Sequence, residues 1–568
     1  MVDRGPEVDH NAPMNFIPET TIDGRLIIDG KRLEGEGLLI SKSPTTLEPI
    51  GEVHLAQAVR CDEAISAAER AFPLWRETPN RQKQRILRSA RQILLRRADE
   101  AAHLLSREKG SPLMESMGVE ILGSLGILDY YSRHESPALR SKRVAAHGPL
   151  LASKRNAFHF PPLGPTLVIS PWNFPFLIPL SDTISALTAG NTVVLRPSTA
   201  TPLVALLLGE IYLEAGLPPG VLNIVVSRTA QAEEMIVDPR IQTVMFTGSV
   251  GVGKRIMELA ARNLTNIVLE LGGKDPMIVL KDADVERAAR GAVWTAFMNC
   301  GQSCASIERA YVAREIAPAF IDRVAALTRE LKVGDPLDPE TDIGPMTTLG
   351  QLKSVLGHLE DARARGAAFL TGGNRIEGRP GYFLPPTVLA GVDHTMKVMT
   401  EETFGPVLPI MTVADEDEAV ALANDSEYGL TASVWTRDRR AASRIAHRLE
   451  AGTVTINDHM YSFTEPTAIW GGIKKTGAGR SHGPYGLLHL VNQKYISRDF
   501  RRTKAQLWWF PYGRTKTEAV SRSLTLLFGT GIGRKLKTLF AMRPAWGLLF
   551  RTVSPRSFGR IARRLFGR

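Results

Sequence analysis

The feature that most constrains the fold is a regular alternation between residues 166 and 246. Apolar runs at Thr166–Ser170, Thr192–Leu195, Val221–Val226 and Thr243–Phe246 are separated by helical windows at 179–189, 202–215 and 230–237. Gly or Pro marks the junctions. Strand and helix in this order build βαβ units and a parallel sheet, at whose carboxyl ends a nucleotide usually binds. A second alternating region starts at Met277–Leu280 and runs through 308–313, 353–365 and 385–389 to 431–435. Ahead of both, residues 25–55 alternate apolar pairs with turn residues and predict short antiparallel strands. The windows 62–76 and 81–108, with Ile86, Leu87, Ile93, Leu94, Leu104 and Leu105 at helical spacing, predict amphipathic helices closed by Gly110-Ser111-Pro112. No internal repeat is evident.

At 568 residues the chain exceeds a small binding module and predicts three or four structural units of roughly 150 residues. Its 43% hydrophobic and 23% charged content excludes wholesale disorder. The net charge of +11 is unevenly placed: residues 500–568 carry 16 Lys or Arg against Glu518, leaving 54 basic and 58 acidic residues over 1–499. The basicity therefore belongs to a tail. Three cysteines, Cys61, Cys300 and Cys304, form no disulfide framework and suit a reducing compartment. Residues 1–15 carry Asp3, Glu7 and Asp9 and lack the apolar segment of a secretory signal. A cytoplasmic protein is expected.

Chemistry concentrates in two places. Gly301-Gln302-Ser303-Cys304 follows the helical window 285–298 and puts a thiol where helix gives way to loop. A free cysteine on its own is ordinarily a small buried hydrophobe. Here Leu269-Glu270-Leu271-Gly272-Gly273-Lys274 sets a carboxylate among apolar neighbours at the end of a strand-like run, 266–270, where a raised pKa would suit a general base. A salt-bridged hinge glutamate is the plainer reading of that motif taken alone. Cys300, four residues before Cys304, is read as a packed residue, and neither cysteine has the company of a metal site.

Five co-linear motifs resemble the NAD(P)-dependent aldehyde dehydrogenase superfamily over roughly 25–497: Pro171-Trp172-Asn173-Phe174-Pro175, Phe246-Thr247-Gly248-Ser249, Leu269–Lys274, Gly301–Cys304 and Glu401-Glu402-Thr403-Phe404-Gly405-Pro406. The resemblance implies two parallel α/β domains, for coenzyme and catalysis, plus a small β oligomerisation extension. The coenzyme domain would take 1–270 without about 140–160, the catalytic domain 271–484, and the extension 140–160 with 485–499, ahead of a basic amphipathic tail, 500–568. Homodimers or homotetramers follow from the same likeness.

By that resemblance Cys304 attacks an aldehyde, Asn173 and the Cys304 N–H stabilise the oxyanion, and Glu270 activates the water that hydrolyses the thioester. Glu402 and Phe404 would hold the nicotinamide ribose, with Pro171 and Trp172 beside it. Gly248 and Ser249 would open a helix facing the pyrophosphate. Arg196, Ser198 and Thr199 would meet the adenosine ribose. Thr199 stands where NAD-preferring members carry Glu, and Arg196 offers donors to a phosphate, so NADP is expected alongside or ahead of NAD. Asp182 replaces a common Lys.

The bacterial subgroup most similar in sequence is often labelled succinate-semialdehyde dehydrogenase. The arginines that bind a substrate carboxylate in the well-understood semialdehyde enzymes are Ser181 and Met298 here. Phe176, Leu177, Phe297, Met298, Tyr461 and Phe463 predict a mostly apolar tunnel, which places an aliphatic or aromatic aldehyde ahead of succinate semialdehyde. Several of these could simply pack the core. A coenzyme-A-acylating enzyme would be expected to lack Glu270, and a silent scaffold to have lost Cys304, Glu270 or Asn173. The tail interleaves Trp, Phe and Leu with Arg and Lys in runs too short to span a bilayer, and suits an anionic membrane surface rather than nucleic acid.

Overall fold

The computed structural model of the protein describes residues 22–133, 136–147, 151, 153–500 and 506–541. The chain forms two compact units. Among the described residues, the larger comprises those from 22 up to Ala138 together with Pro162–Val491, and the smaller those of Leu139–Pro161 and from Asn492 to Ala541.

The alternation predicted from sequence is the backbone of the larger unit. Five parallel strands, Asn266–Glu270, Thr243–Thr247, Thr166–Ile169, Val193–Arg196 and Leu222–Ile224, lie side by side in that order. Antiparallel strands extend both edges: Leu26–Ile28 with Lys31–Leu33 on one side and Gly477–Ala478 on the other. A seven-stranded sheet runs Ala368–Phe369, Thr387–Ala390, Val407–Val413, Ile307–Ala313, Asp275–Val279, Thr431–Trp435, Thr453–Ile456, with every pair but the first parallel. Strand Ile307–Ala313 is buried along its whole length, as helices on both faces require. The expected helix over 81–108 is two helices, Asn80–Arg96 and Ala98–Lys109, parted at Arg97, whose guanidinium reaches across to Glu210 and Glu214. Next comes a segment with no sequence-based expectation: a short turn at Leu113–Glu115, a π-helical turn at Ser116–Ile121 and helix Leu122–Arg133.

Two boundaries differ from expectation. Residues 485–491 are not extension: helix Gly483–His489 belongs to the larger unit. Gly477–Ala478, expected within the catalytic part, pairs with Leu269 and Glu270 and closes the first sheet.

The smaller unit holds a three-stranded antiparallel sheet, Lys142–Val144, Lys154–His159 and Lys494–Asp499, in which Lys154 Nζ lies 2.7 Å from Asp499 Oδ2. Helices Arg514–Phe528 and Ile532–Ala541 follow. The remainder of the basic tail, with its runs at 546–550 and 561–566, lies outside the described residues.

Candidate active site

Helix Val285–Phe297 is capped by Asp284, whose carboxylate accepts the Arg287 N–H, and it ends just short of the thiol. Three successive residues, Asn299, Cys300 and Gly301, then take left-handed backbone angles with φ of 56°, 55° and 68°. This reversal turns the chain inward. At Gly301 a Cβ would sit 2.1 Å from the Gly405 carbonyl oxygen, so glycine is required by space as well as by φ. Cys300 is directed into the core, its Sγ 3.6 Å from Met346 Sδ, while Cys304 stays partly exposed.

Glu270 closes strand Asn266–Glu270. Its carboxyl oxygens are buried without a hydrogen-bond partner among the described residues, although Ser481 approaches. Burial raises its pKa well above the usual carboxylate range, the nearby Asp182 carboxylate adds to the rise, and Arg480 opposes it. Asp182 is itself buried on helix Leu177–Ala189, and burial alone lifts it to about 7. Burial also pushes the Cys304 thiol up, helped by Asp275, Glu402 and Glu270. Burial thus disfavours the charged form of both base and nucleophile.

Beyond Glu270 the chain is bare enough for a second carboxylate to press against it. A Cβ on Gly272 would lie 2.3 Å from Glu402 Oε2, and Glu402 Oε1 accepts the Gly273 N–H at 2.9 Å. Burial lifts Glu402 to about 8, with Glu308 contributing. Lys274, fully buried, reaches Glu308 at 2.6 Å and the Thr403 hydroxyl at 3.1 Å, and Glu308 accepts the Thr403 and Phe404 N–H groups. These bonds hold Phe404 at φ 51°, with its ring edge-on to Trp172 at 5.6 Å.

Asn173, 3% exposed, donates through Nδ2 to the Gln302 carbonyl at 3.0 Å. Cys304, Glu270 and Asn173 line one cavity of about 200 Å³. Pro171, Trp172, Gly248, Ser249, Glu402 and Phe404 share it. Ser249 begins helix Val250–Ala260 without a side-chain capping bond, and the space above Gly251 is open. A helix start of this kind offers unpaired N–H groups to a phosphate.

Arg196, Ser198 and Thr199 stand outside that cavity. Arg196, at the end of Val193–Arg196, spends Nη2 on the Ser227 carbonyl at 2.7 Å, and its Nε is buried without a partner among the described residues. The fork expected for phosphate is thus partly committed. Ser198 and Thr199 are half-buried in the following loop.

The side chains expected to line a tunnel lie in several settings. Phe463 and Cys304 both pack against the small cluster Ala305, Leu430 and Trp470, with Phe463 edge-on to Trp470 at 5.0 Å. Tyr461 is 54% exposed. Phe176 and Leu177 are buried at the start of their helix, and Phe297 fills the core of the second sheet. Phe297 and Met298 border a different cavity of about 620 Å³, with Met114, Glu115 and Trp294. Aromatic character marked these side chains, but the core uses the same residue types as a tunnel wall. The sequence reading also passed over Glu115, Glu120 and Asn299. The available signal was that Glu115 and Glu120 are the charged residues in the otherwise uncharged run 110–128. Among the described residues no group of three or more His, Cys, Asp or Glu could hold a metal.

Residues 34–496 match the aldehyde dehydrogenase family. An NADP-dependent enzyme of E. coli is 34% identical over 84% of this chain and 98% of its own, with a TM-score of 0.81. An NAD-dependent aldehyde dehydrogenase of Sinorhizobium meliloti is 34% identical over 86% and 96%, at 0.82. A betaine aldehyde dehydrogenase of Staphylococcus aureus, solved with NAD+, is 30% identical over 86% and 97%, also at 0.82.

Proposed function

The chain belongs to the aldehyde dehydrogenase family, and on that premise we propose that Cys304, Glu270 and Asn173 oxidise an apolar aldehyde to its carboxylic acid with NADP+ or NAD+. The observation that carries the reading is the convergence of these three side chains, from three separate stretches of chain, on one cavity that also contains the open helix start at Ser249.

Cys304 gives up its thiol proton to solvent, and its sulfur bonds to the aldehyde carbon. The carbonyl electron pair moves to oxygen, where the Asn173 amide and the Cys304 N–H meet it, a contribution of about 3–4 kcal/mol to the barrier. When bound, the coenzyme supplies the acceptor for the hydride that leaves the former aldehyde carbon. Pro171, Trp172, Gly248, Ser249, Glu402 and Phe404 would hold it. The thioester left on Cys304 is cleaved by water whose proton passes to Glu270, releasing the acid and the thiol. Since burial keeps Glu270 protonated well past the usual range, this step gains from alkaline conditions.

The test measures NADPH and NADH formation with hexanal, decanal, benzaldehyde and succinate semialdehyde, alongside Cys304→Ala. Apolar aldehydes are expected to be fastest and the variant inactive. Preference for succinate semialdehyde would overturn the apolar assignment and direct attention to Arg480, whose Nη1 is held by the Gly472 and Gly479 carbonyls. A hundredfold advantage of NAD+ in kcat/KM would overturn acceptance of NADP+.

The reading extends to assembly and location. The smaller unit exposes its edge strand Lys142–Val144 and the side chains of Phe158, Tyr495 and Ile496, a surface suited to pairing subunits into a homodimer or homotetramer. Its helices expose Val520, Leu524 and Phe528, then Ile532, Leu536 and Phe540, among Arg522, Arg534, Lys535 and Lys537. Apolar side chains beside cations fit the plane of an anionic membrane on its cytoplasmic face. No described helix is long and apolar enough to cross a membrane. The full chain is expected to pellet with phosphatidylglycerol vesicles and not with phosphatidylcholine vesicles. Equal pelleting by a chain ending at Asp499 would remove the tail from the explanation.

A further inference from the structure

The π-helical turn at Ser116–Ile121 takes no part in the chemistry above, yet both loops of the active site are tied to it. Lys109 and Glu120 form a buried ion pair at 2.7 Å. The other Glu120 oxygen accepts the N–H groups of Phe176 and Leu177, each at 3.0 Å, just after Asn173. Glu115 Oε2 accepts the Asn299 N–H at 2.9 Å, at the first of the three left-handed residues. Asn299 Nδ2 then donates to the carbonyls of Asn173 and Gln302 at 2.9 and 3.0 Å, and the Asn173 amide donates to that same Gln302 carbonyl. Two carboxylates, Glu115 just before the turn and Glu120 within it, thus reach the backbone after Asn173 and the loop that delivers Cys304.

The π geometry explains how one turn serves both loops. In an α-helix, five residues rotate the chain by about 500°, leaving two side chains about 140° apart. Bonding from i to i+5, as in the Leu122 N–H to the Met117 carbonyl, widens the turn and brings positions five apart closer to one face. Glu115 and Glu120 thereby point their carboxylates at neighbouring loops.

We infer that Glu115 and Glu120 are positioning residues that hold the Asn173 amide against Cys304, one through Asn299 in the cysteine loop and the other through the backbone after Asn173. The proposal is independent of the aldehyde's identity, because the oxyanion is common to every aldehyde.

The experiment compares Glu115→Ala and Glu115→Gln in the full chain with the aldehyde the parent turns over fastest. It records kcat, KM, coenzyme Kd from tryptophan fluorescence, and the rate at which iodoacetamide alkylates Cys304. Alkylation needs the thiol but forms no oxyanion. Glu115→Ala is expected to lower kcat about tenfold or more, while coenzyme Kd and alkylation stay within about twofold. Glu115→Gln, which keeps an acceptor oxygen for the Asn299 N–H, should recover most of the loss. Parental kcat in Glu115→Ala, a fall shared equally by alkylation, or no rescue by glutamine would each overturn the proposal. Should Glu115→Ala not fold, Asn299→Gly reads the same link, since glycine accepts the positive φ and removes only the side-chain bridge; unchanged kcat there overturns it too.

Discussion

Burial in the site works against charge on its acids. Glu270 and Asp182 are two buried carboxyl groups that resist being charged together, so replacing one changes the other. Asp182→Asn is expected to lower the pKa of Glu270 and move the acid limb of the kcat profile to lower pH. An unmoved limb would show that Asp182 does not act on the base. The Lys274–Glu308 pair is a contrasting case, since burial leaves each charge dependent on the other. Lys274→Met strands Glu308 and should cost about 3–5 kcal/mol in urea unfolding. At this scale the sequence was legible where chemistry is rare. Cys304 and Glu270 stood out because a thiol and an acid in those settings are uncommon, whereas Asn173 was marked only by the family motif that contains it. Phe176 and Phe297 are buried, and an aromatic ring has the same signature in a core and in a pocket wall.

At the scale of elements, strands and helices were readable within a few residues wherever the period was unbroken, as in 166–247. The irregular pieces were not. The break at Arg97 depends on Glu210 and Glu214, more than 100 residues away, and the π turn depends on loops that reach it from residues 176 and 299. Local pattern carries no record of such partners. The left-handed run before Cys304 is another piece of this kind. Gly301→Ala meets both a positive φ and the Gly405 carbonyl, and is expected to cost about 1–3 kcal/mol in urea unfolding while slowing turnover. Unchanged stability would show that the loop relaxes freely.

Across the whole molecule, buried acids set how stability responds to pH. Burial lifts Glu108, Glu115 and Asp182 each to about 7. A raised carboxyl stabilises the fold fully below its unfolded pKa of about 4, and that contribution is lost as pH rises through the folded value. Asp23 and Glu286, held near 2 by arginines, act in the opposite sense and lose their contribution only in stronger acid. Calorimetric Tm is therefore expected to peak near pH 5 and decline towards 7.5; a flat profile would show that the three acids are reached by water. The two-sheet architecture was visible from the alternation, whereas the pairing of Gly477–Ala478 with the first sheet and the membership of 485–491 in the larger unit were not, because a two-residue edge strand and a seven-residue helix leave little periodic trace.

The smaller unit is assembled from two distant parts of the chain. Lys154 must wait for Asp499, 345 residues later, before the three-stranded sheet can close. At ribosomal speeds of 5–20 residues per second that interval is about 20–70 s. Throughout it, strand Lys154–His159 has the three-residue strand Lys142–Val144 as its partner and keeps an open edge on the other side. Nascent chains on one messenger are thus exposed to edge-to-edge pairing with each other, and the timing of synthesis becomes part of what the sheet must survive.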